Sequence, residues 1–250
     1  MEEKIFFSNS KGDRLCGILD DPTNLTSTPI VIVCHWFSTH KNSMGIVPIA
    51  KVLNENSIAT LRIDLFGHGE SDGKLEDITI SEGVDDILQA VAYLVSRWYS
   101  KIGLMGSSFW GICSSIATSK TDQIAFLALR APVSNYVEQK LLKIFTTGIE
   151  QRRTEWYIIH DWKRLGVAFL NDAEKNAAYA IADKITVPTL IVHGSADTNV
   201  PVQHSEKLAS LIPHCELQII DWADHGFSHP EHNVKMVRYL SDFLIQHAKL

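Results

Sequence analysis

The chain alternates short apolar runs with stretches in which apolar residues return every three or four positions. That alternation predicts strands and helices in turn. Ile30-Val31-Ile32-Val33-Cys34 is continuously apolar, the pattern of a strand covered on both faces. Further strands are predicted from Ile58 to Ile63, from Ile102 to the glycine at Gly106, from Ile124 to Leu129, from Pro188 to His193 and from Glu216 to Ile220. Between them, Val84, Ile87, Leu88, Val91, Leu94, Val95 and Trp98 keep helical period across Ser81 to Trp98. Other helices are predicted near 45–56, where Pro48 confines the start, and over 204–212 and 232–247. Residues 4–8 and 14–20 predict an antiparallel pair joined by Asn9-Ser10-Lys11-Gly12-Asp13, followed by a polar loop from Pro22 to Pro29. The fold class is therefore α/β, a mostly parallel sheet with helices on both faces. Residues 135–182 interrupt the alternation with a long, mostly helical insert rich in aromatics: Tyr136, Phe145, Trp156, Tyr157, Trp162, Phe169 and Tyr179. No repeat, low-complexity tract or linker sets it apart, so residues 1–250 are expected to form one domain carrying a cap.

Composition narrows the picture. A length of 250 residues with 45% hydrophobic content suffices for one large core. A net charge of −6 with scattered basic residues argues against a general affinity for nucleic acid or anionic membrane. No stretch reaches the ~18 consecutive apolar residues of a membrane span. Met1 to Lys4 leads straight into strand-like Ile5-Phe6-Phe7, leaving no room for a signal peptide. Cys16, Cys34, Cys113 and Cys215 are far apart among apolar neighbours, the usage of buried free thiols in a reducing compartment. A cytoplasmic location is the expectation.

The chemistry centres on Gly106-Ser107-Ser108-Phe109-Trp110-Gly111, where an apolar strand ends and a helical pattern begins at once. Ser108 falls at the tip of a sharp turn whose strain presents the hydroxyl, while the new helix aims unpaired N–H groups and its dipole at the same spot. A serine so placed needs a base, and the base needs an acid to orient it. Reactive groups of open parallel sheets gather at the carboxyl ends of strands. Asp197 follows the strand ending at His193-Gly194, and His225 follows the strand ending at Ile220. Asp224 is a rival acid, and Asp197 also reads as a simple turn aspartate. Cys113 lies inside the helix and reads as core, His35 reads as a prop for the loop after its strand, and Asp64 to Gly73 lacks calcium-loop spacing. His225, His229 and His232 are spaced like metal ligands but read as a solvated cluster, so no metal and no cofactor are expected.

The stretches Cys34-His35-Trp36-Phe37, Asp64 to Gly73, the elbow, Gly194 to Pro201 and Asp224-His225-Gly226-Phe227 together resemble the alpha/beta-hydrolase superfamily. In detail they resemble small capped serine esterases of the feruloyl or cinnamoyl esterase kind, across almost the whole chain. The resemblance implies an alpha/beta-hydrolase fold, with Ser108 as nucleophile, His225 as general base and Asp197 as orienting acid. It implies oxyanion donors at the backbone N–H groups of Phe109 and Phe37, and a small-molecule ester as substrate. Trp36 and Trp110 stand where that family has glycine. With Phe145, Trp156 and Trp162 they are the candidate pocket residues. Their rings are expected either to reshape the oxyanion loops or to wall the site for planar substrates. A thioesterase or acyltransferase with the same residues, and a disabled hydrolase-fold binding protein, remain the alternatives.

Overall fold

A computed structural model describes residues 2–23, 28–136, 157–160 and 163–250. The main sheet has eight strands: β1 (Glu2–Ser8), β2 (Arg14–Asp20), β3 (Ile30–Cys34), β4 (Ala59–Asp64), β5 (Ile102–Ser107), β6 (Ile124–Arg130), β9 (Thr189–Gly194) and β10 (Cys215–Ile220). Their order is β1-β2-β4-β3-β5-β6-β9-β10, antiparallel at β1/β2 and β2/β4 and parallel from β4 onward. Every residue of β3, β4, β5 and β9 is buried, which explains the unbroken apolar run of β3, while β4 and β9 also bury polar side chains such as Arg62, Asp64 and His193.

Helices cover both faces. On one side α2 (Ile80–Ser96), α3 (Phe109–Thr118) and α5 (Gln203–Leu211) pack Ile87, Ile112 and Leu208 on Ile32, Leu104 and Leu129. On the other, α1 (Val47–Glu55) and α6 (Pro230–Lys249) pack Leu53, Leu240 and Leu244 on Val33, Met105 and Val192. The alternation of side chains along each strand supplies both cores. Thr79 starts α2 by accepting the Glu82 N–H at 3.0 Å, and proline opens α1 and α6, where its missing N–H costs nothing.

The insert departs from the mostly helical expectation. Its described part contains an antiparallel hairpin, β7 (Tyr157–His160) with β8 (Lys163–Gly166), before α4 (Val167–Ala173) and a 3₁₀ turn over Ala178–Lys184. Tyr157-Ile158-Ile159 is an aromatic and β-branched run that favours a strand. Helical period, judged over a longer window, hides so short a signal. The insert is anchored to the start of α2, where Asp172 accepts the Ser81 N–H at 2.8 Å and its hydroxyl at 2.5 Å. Among the described residues no helix is long and apolar enough to cross a membrane.

Candidate functional site

Ser108 lies between β5 and α3 with φ 52° and ψ −119°, a conformation costing roughly 1–3 kcal/mol that persists only when neighbours impose it. Strand β6 and the loop after it do so. The Ser108 N–H donates to the Arg130 carbonyl at 2.9 Å, and the Ser108 carbonyl accepts the Val133 and Gly111 N–H groups, each at 2.9 Å. His225, on the loop after β10, brings Nε2 to 2.8 Å from the Ser108 hydroxyl. Its Nδ1 donates to Asp197 Oδ2 at 2.6 Å, which leaves Nε2 as the acceptor facing serine.

Asp197 sits on the loop after β9 with its side chain fully buried. Its Oδ1 accepts the Asn199 and Val200 N–H groups at 2.9 and 2.8 Å, and Oδ2 accepts both His225 and His193, the latter at 3.1 Å. Burial pushes this carboxyl up. The hydrogen bonds from His193 and His225, the His225 charge and the Val200 N–H outweigh burial and hold it below the usual carboxylate range. His193 is a contributor that the sequence analysis did not single out. It ends an apolar strand, its Nδ1 pairs with the Ser205 hydroxyl at 2.6 Å, and its Nε2–H is shared between Asp197 and the Val200 carbonyl. A polar residue closing a buried strand was the available signal. Asp224 instead bonds the Ser228 N–H at 2.7 Å.

The second loop at the site follows β3. As first residue of α3, Phe109 has no carbonyl four places back within the helix to receive its N–H. The Phe37 ring packs 6.0 Å from that of Phe109 and brings the turn after β3 beside the elbow. Two histidines pin this turn. The Nδ1–H of His35 donates to the Trp36 carbonyl at 2.7 Å, and burial holds His35 neutral, pushing it down to about 3. His68 accepts the Ser38 N–H on Nε2 at 3.1 Å, and Ser38 has a φ of 57°. Nothing local in the sequence marks His68 as a support for this turn, because its partner lies thirty residues away.

Neither tryptophan that replaces glycine has a positive φ. Trp110 is 1% exposed and packs as core, edge-on to His68 and His35 at 5.3 and 6.0 Å. Room for it comes from Gly83 of α2, where a Cβ would lie 2.4 Å from the indole. The half-buried Trp36 ring lies on Gly45 in the same way, with 1.6 Å to a built Cβ. Each indole thus packs on a glycine, Trp110 on Gly83 and Trp36 on Gly45. Phe145, Trp156 and Trp162 lie outside the described residues. Tyr136 and Phe169 pack 5.8 Å from Phe109, so the insert rests directly on the elbow. A hollow of about 440 Å³ lies elsewhere, against Glu2, Asp20, Val47, Lys51, Asn54 and Arg62.

The arrangement can generate an alkoxide-like serine, hold the departing proton on an imidazole and keep that imidazolium beside a buried carboxylate. Est1E from Butyrivibrio proteoclasticus, solved with ferulic acid bound, is 26% identical with a TM-score of 0.84, over 98% of this chain and 100% of that one. Mouse mitochondrial palmitoyl-protein thioesterase ABHD10 is 24% identical over 201 residues, 77% of this chain and 67% of its own length. Human protein ABHD12B is 26% identical over 194 residues, 72% of this chain and 49% of its own length. With its eight-stranded, mostly parallel sheet, the chain has the alpha/beta-hydrolase fold. Residues 51–250 match the prolyl oligopeptidase family, and the chain belongs to that family of hydrolases.

Proposed function

We propose that the protein is a serine-dependent carboxylic ester hydrolase. The observation that carries this reading is the unbroken relay from the Ser108 hydroxyl through His225 to Asp197, at 2.8 and 2.6 Å. His225 Nε2 takes the proton as Ser108 Oγ attacks the ester carbonyl, and the carbonyl oxygen becomes an oxyanion held by the N–H groups of Phe109 and Phe37. Collapse expels the alcohol, which receives that proton from His225. Water, deprotonated in turn by His225, then releases the acid from the acyl-serine. Asp197 stays ionised throughout and keeps the proton-bearing Nδ1 turned toward itself. No step calls on a cofactor.

The relative solved with ferulic acid makes aromatic acyl esters the first class to assay, and the mouse thioesterase gives long-chain acyl thioesters as the second reading. Fluorophosphonate labelling of Ser108, followed by nitrophenyl esters of increasing acyl length beside feruloyl esters and an acyl thioester, tests both. Rapid labelling with ester turnover is expected. Ser108→Ala should abolish labelling and lower turnover by up to ~10⁶-fold with the fold intact. An alanine variant that keeps a substantial share of the rate rejects the assignment, and a wild type inert to the probe supports a binding protein instead.

A further inference from the structure

Arg130 closes β6, yet its side chain reaches from the loop after β3 to the loop after β10. The guanidinium carbon lies 4.7 Å from the centre of the Trp36 ring and 5.0 Å from that of Phe227. Nη2 donates to the Gly226 carbonyl at 2.9 Å, one residue beyond His225. The Arg130 backbone carbonyl holds the Ser108 N–H. The residue is 1% exposed, its buried Nε has no partner, and among the described residues no carboxylate bonds it. Burial pushes the guanidinium down to about 10, with Asp197 and Asp224 acting from a distance in the other direction. A fold selected for stability alone does not keep a buried, half-satisfied cation at the centre of a sheet edge.

We propose that Arg130 is a positioning residue that clasps the Trp36–Ser38 turn to the His225 loop, with Trp36 and Phe227 as the two π faces of the clasp. The proposal rests on the reading of Ser108, His225 and Asp197 given above. Trp36 precedes one proposed oxyanion donor, Gly226 follows the proposed base, and the Arg130 carbonyl fixes the proposed nucleophile. One residue therefore sets three parts of the site relative to one another. Displacement of such parts by about 1 Å costs on the order of 10²-fold in rate. A guanidinium sandwiched between rings also resists replacement by lysine, which cannot stack or direct a second N–H to a carbonyl. Trp36 thus acts from behind the turn, through Arg130.

The test is steady-state ester hydrolysis by Arg130→Met, Arg130→Lys, Trp36→Phe and Trp36→Leu, read as kcat, KM, pH–rate profile and melting temperature. Arg130→Met should lower kcat on the order of 10- to 100-fold with KM little changed. Its melting temperature should hold or rise, because a buried charge has gone. Asp197 on the loop after β9 and Asp224 on the loop after β10 are the charges that act on the guanidinium, and His225 adjoins the Gly226 carbonyl that it binds. A fixed cation beside them disfavours a second positive charge, so in Arg130→Met the acid limb of the profile should move to higher pH, by roughly half a unit or more. Arg130→Lys should keep the limb in place while staying slow. Trp36→Phe, which keeps a π face, should retain more of the rate than Trp36→Leu, and this pair decides if Arg130→Met fails to fold. Wild-type kcat and pH profile in Arg130→Met, or equal rates in the two Trp36 variants, overturn the proposal. A wild type that fluorophosphonate does not label overturns the underlying reading instead.

Discussion

At Asp197 the two carboxylate oxygens divide their work: Oδ1 is held by two backbone N–H groups and Oδ2 by two imidazoles. That division fixes the carboxylate plane before His225 arrives. Asp197→Asn puts an amide N–H toward one imidazole or a backbone donor, so the tautomer that leaves Nε2 free to accept is disturbed. Turnover should fall by ~10³–10⁴-fold. The same residue predicts an acid-side effect on stability. Its folded carboxyl lies below the usual range, so the unfolded chain takes up the proton first as pH falls. Its contribution is complete above about pH 4 and is lost as pH falls through the folded value. Urea midpoints between about pH 2 and 5 should therefore drop more steeply for wild type than for Asp197→Asn, and parallel curves would contradict this. Residues at this scale were unequally legible. Ser108, Asp197 and His225 each follow a strand, so a rule about strand ends brings them to one edge. Arg130, His193 and His68 matter through partners fixed by register and by loops far off in sequence, and no local pattern carries that.

At the scale of elements, the strand runs of the sheet were legible because a residue buried on both faces leaves a plain apolar signature. Boundaries moved little: the strand expected at Ile58 begins at Ala59 and runs on to Asp64, and the helix expected at Ser81 begins at Ile80. The β7–β8 hairpin was hidden in a segment whose scattered aromatics match several periods. Its helix α4 packs on the elbow, where Phe169 is 1% exposed and its ring lies 5.8 and 5.3 Å from those of Phe109 and Tyr136. Under the proposal that the insert is a cap governing substrate choice, mild loosening at Asp172 should change relative kcat/KM across an acyl series while leaving the best substrate's kcat near wild type. Asp172→Ala releases both Ser81 bonds at the seam with α2 and avoids the core. Phe169→Ala, by contrast, opens a cavity beside the elbow, with a stability loss of about 3–5 kcal/mol. Identical effects of Asp172→Ala on every ester would count against a selective cap.

For the whole molecule, the question is whether the insert unfolds with the sheet. We propose that it does, as part of one domain. Leu165, Phe169, Ala173, Ala178 and Ala182 belong to the same buried cluster as Leu104, Leu129 and Ile191. The described insert also closes on elements of the sheet domain through hydrogen bonds, from Ser81 to Asp172 and from the Ala178 N–H to the Ser134 carbonyl at 2.8 Å. An element that shares its apolar neighbours with the main core loses its own burial when that core opens, so the two transitions merge. Urea titrations followed by far-ultraviolet circular dichroism and by tryptophan fluorescence should coincide, because Trp156 and Trp162 report from the insert while Trp36, Trp98, Trp110 and Trp222 report from the rest of the chain. Phe169→Ala should shift both curves together to lower urea. A fluorescence change that precedes the loss of helical signal, widened by Phe169→Ala, would mean that the insert opens on its own, and the substrate preference of the cap would then follow from a local equilibrium rather than from a fixed wall.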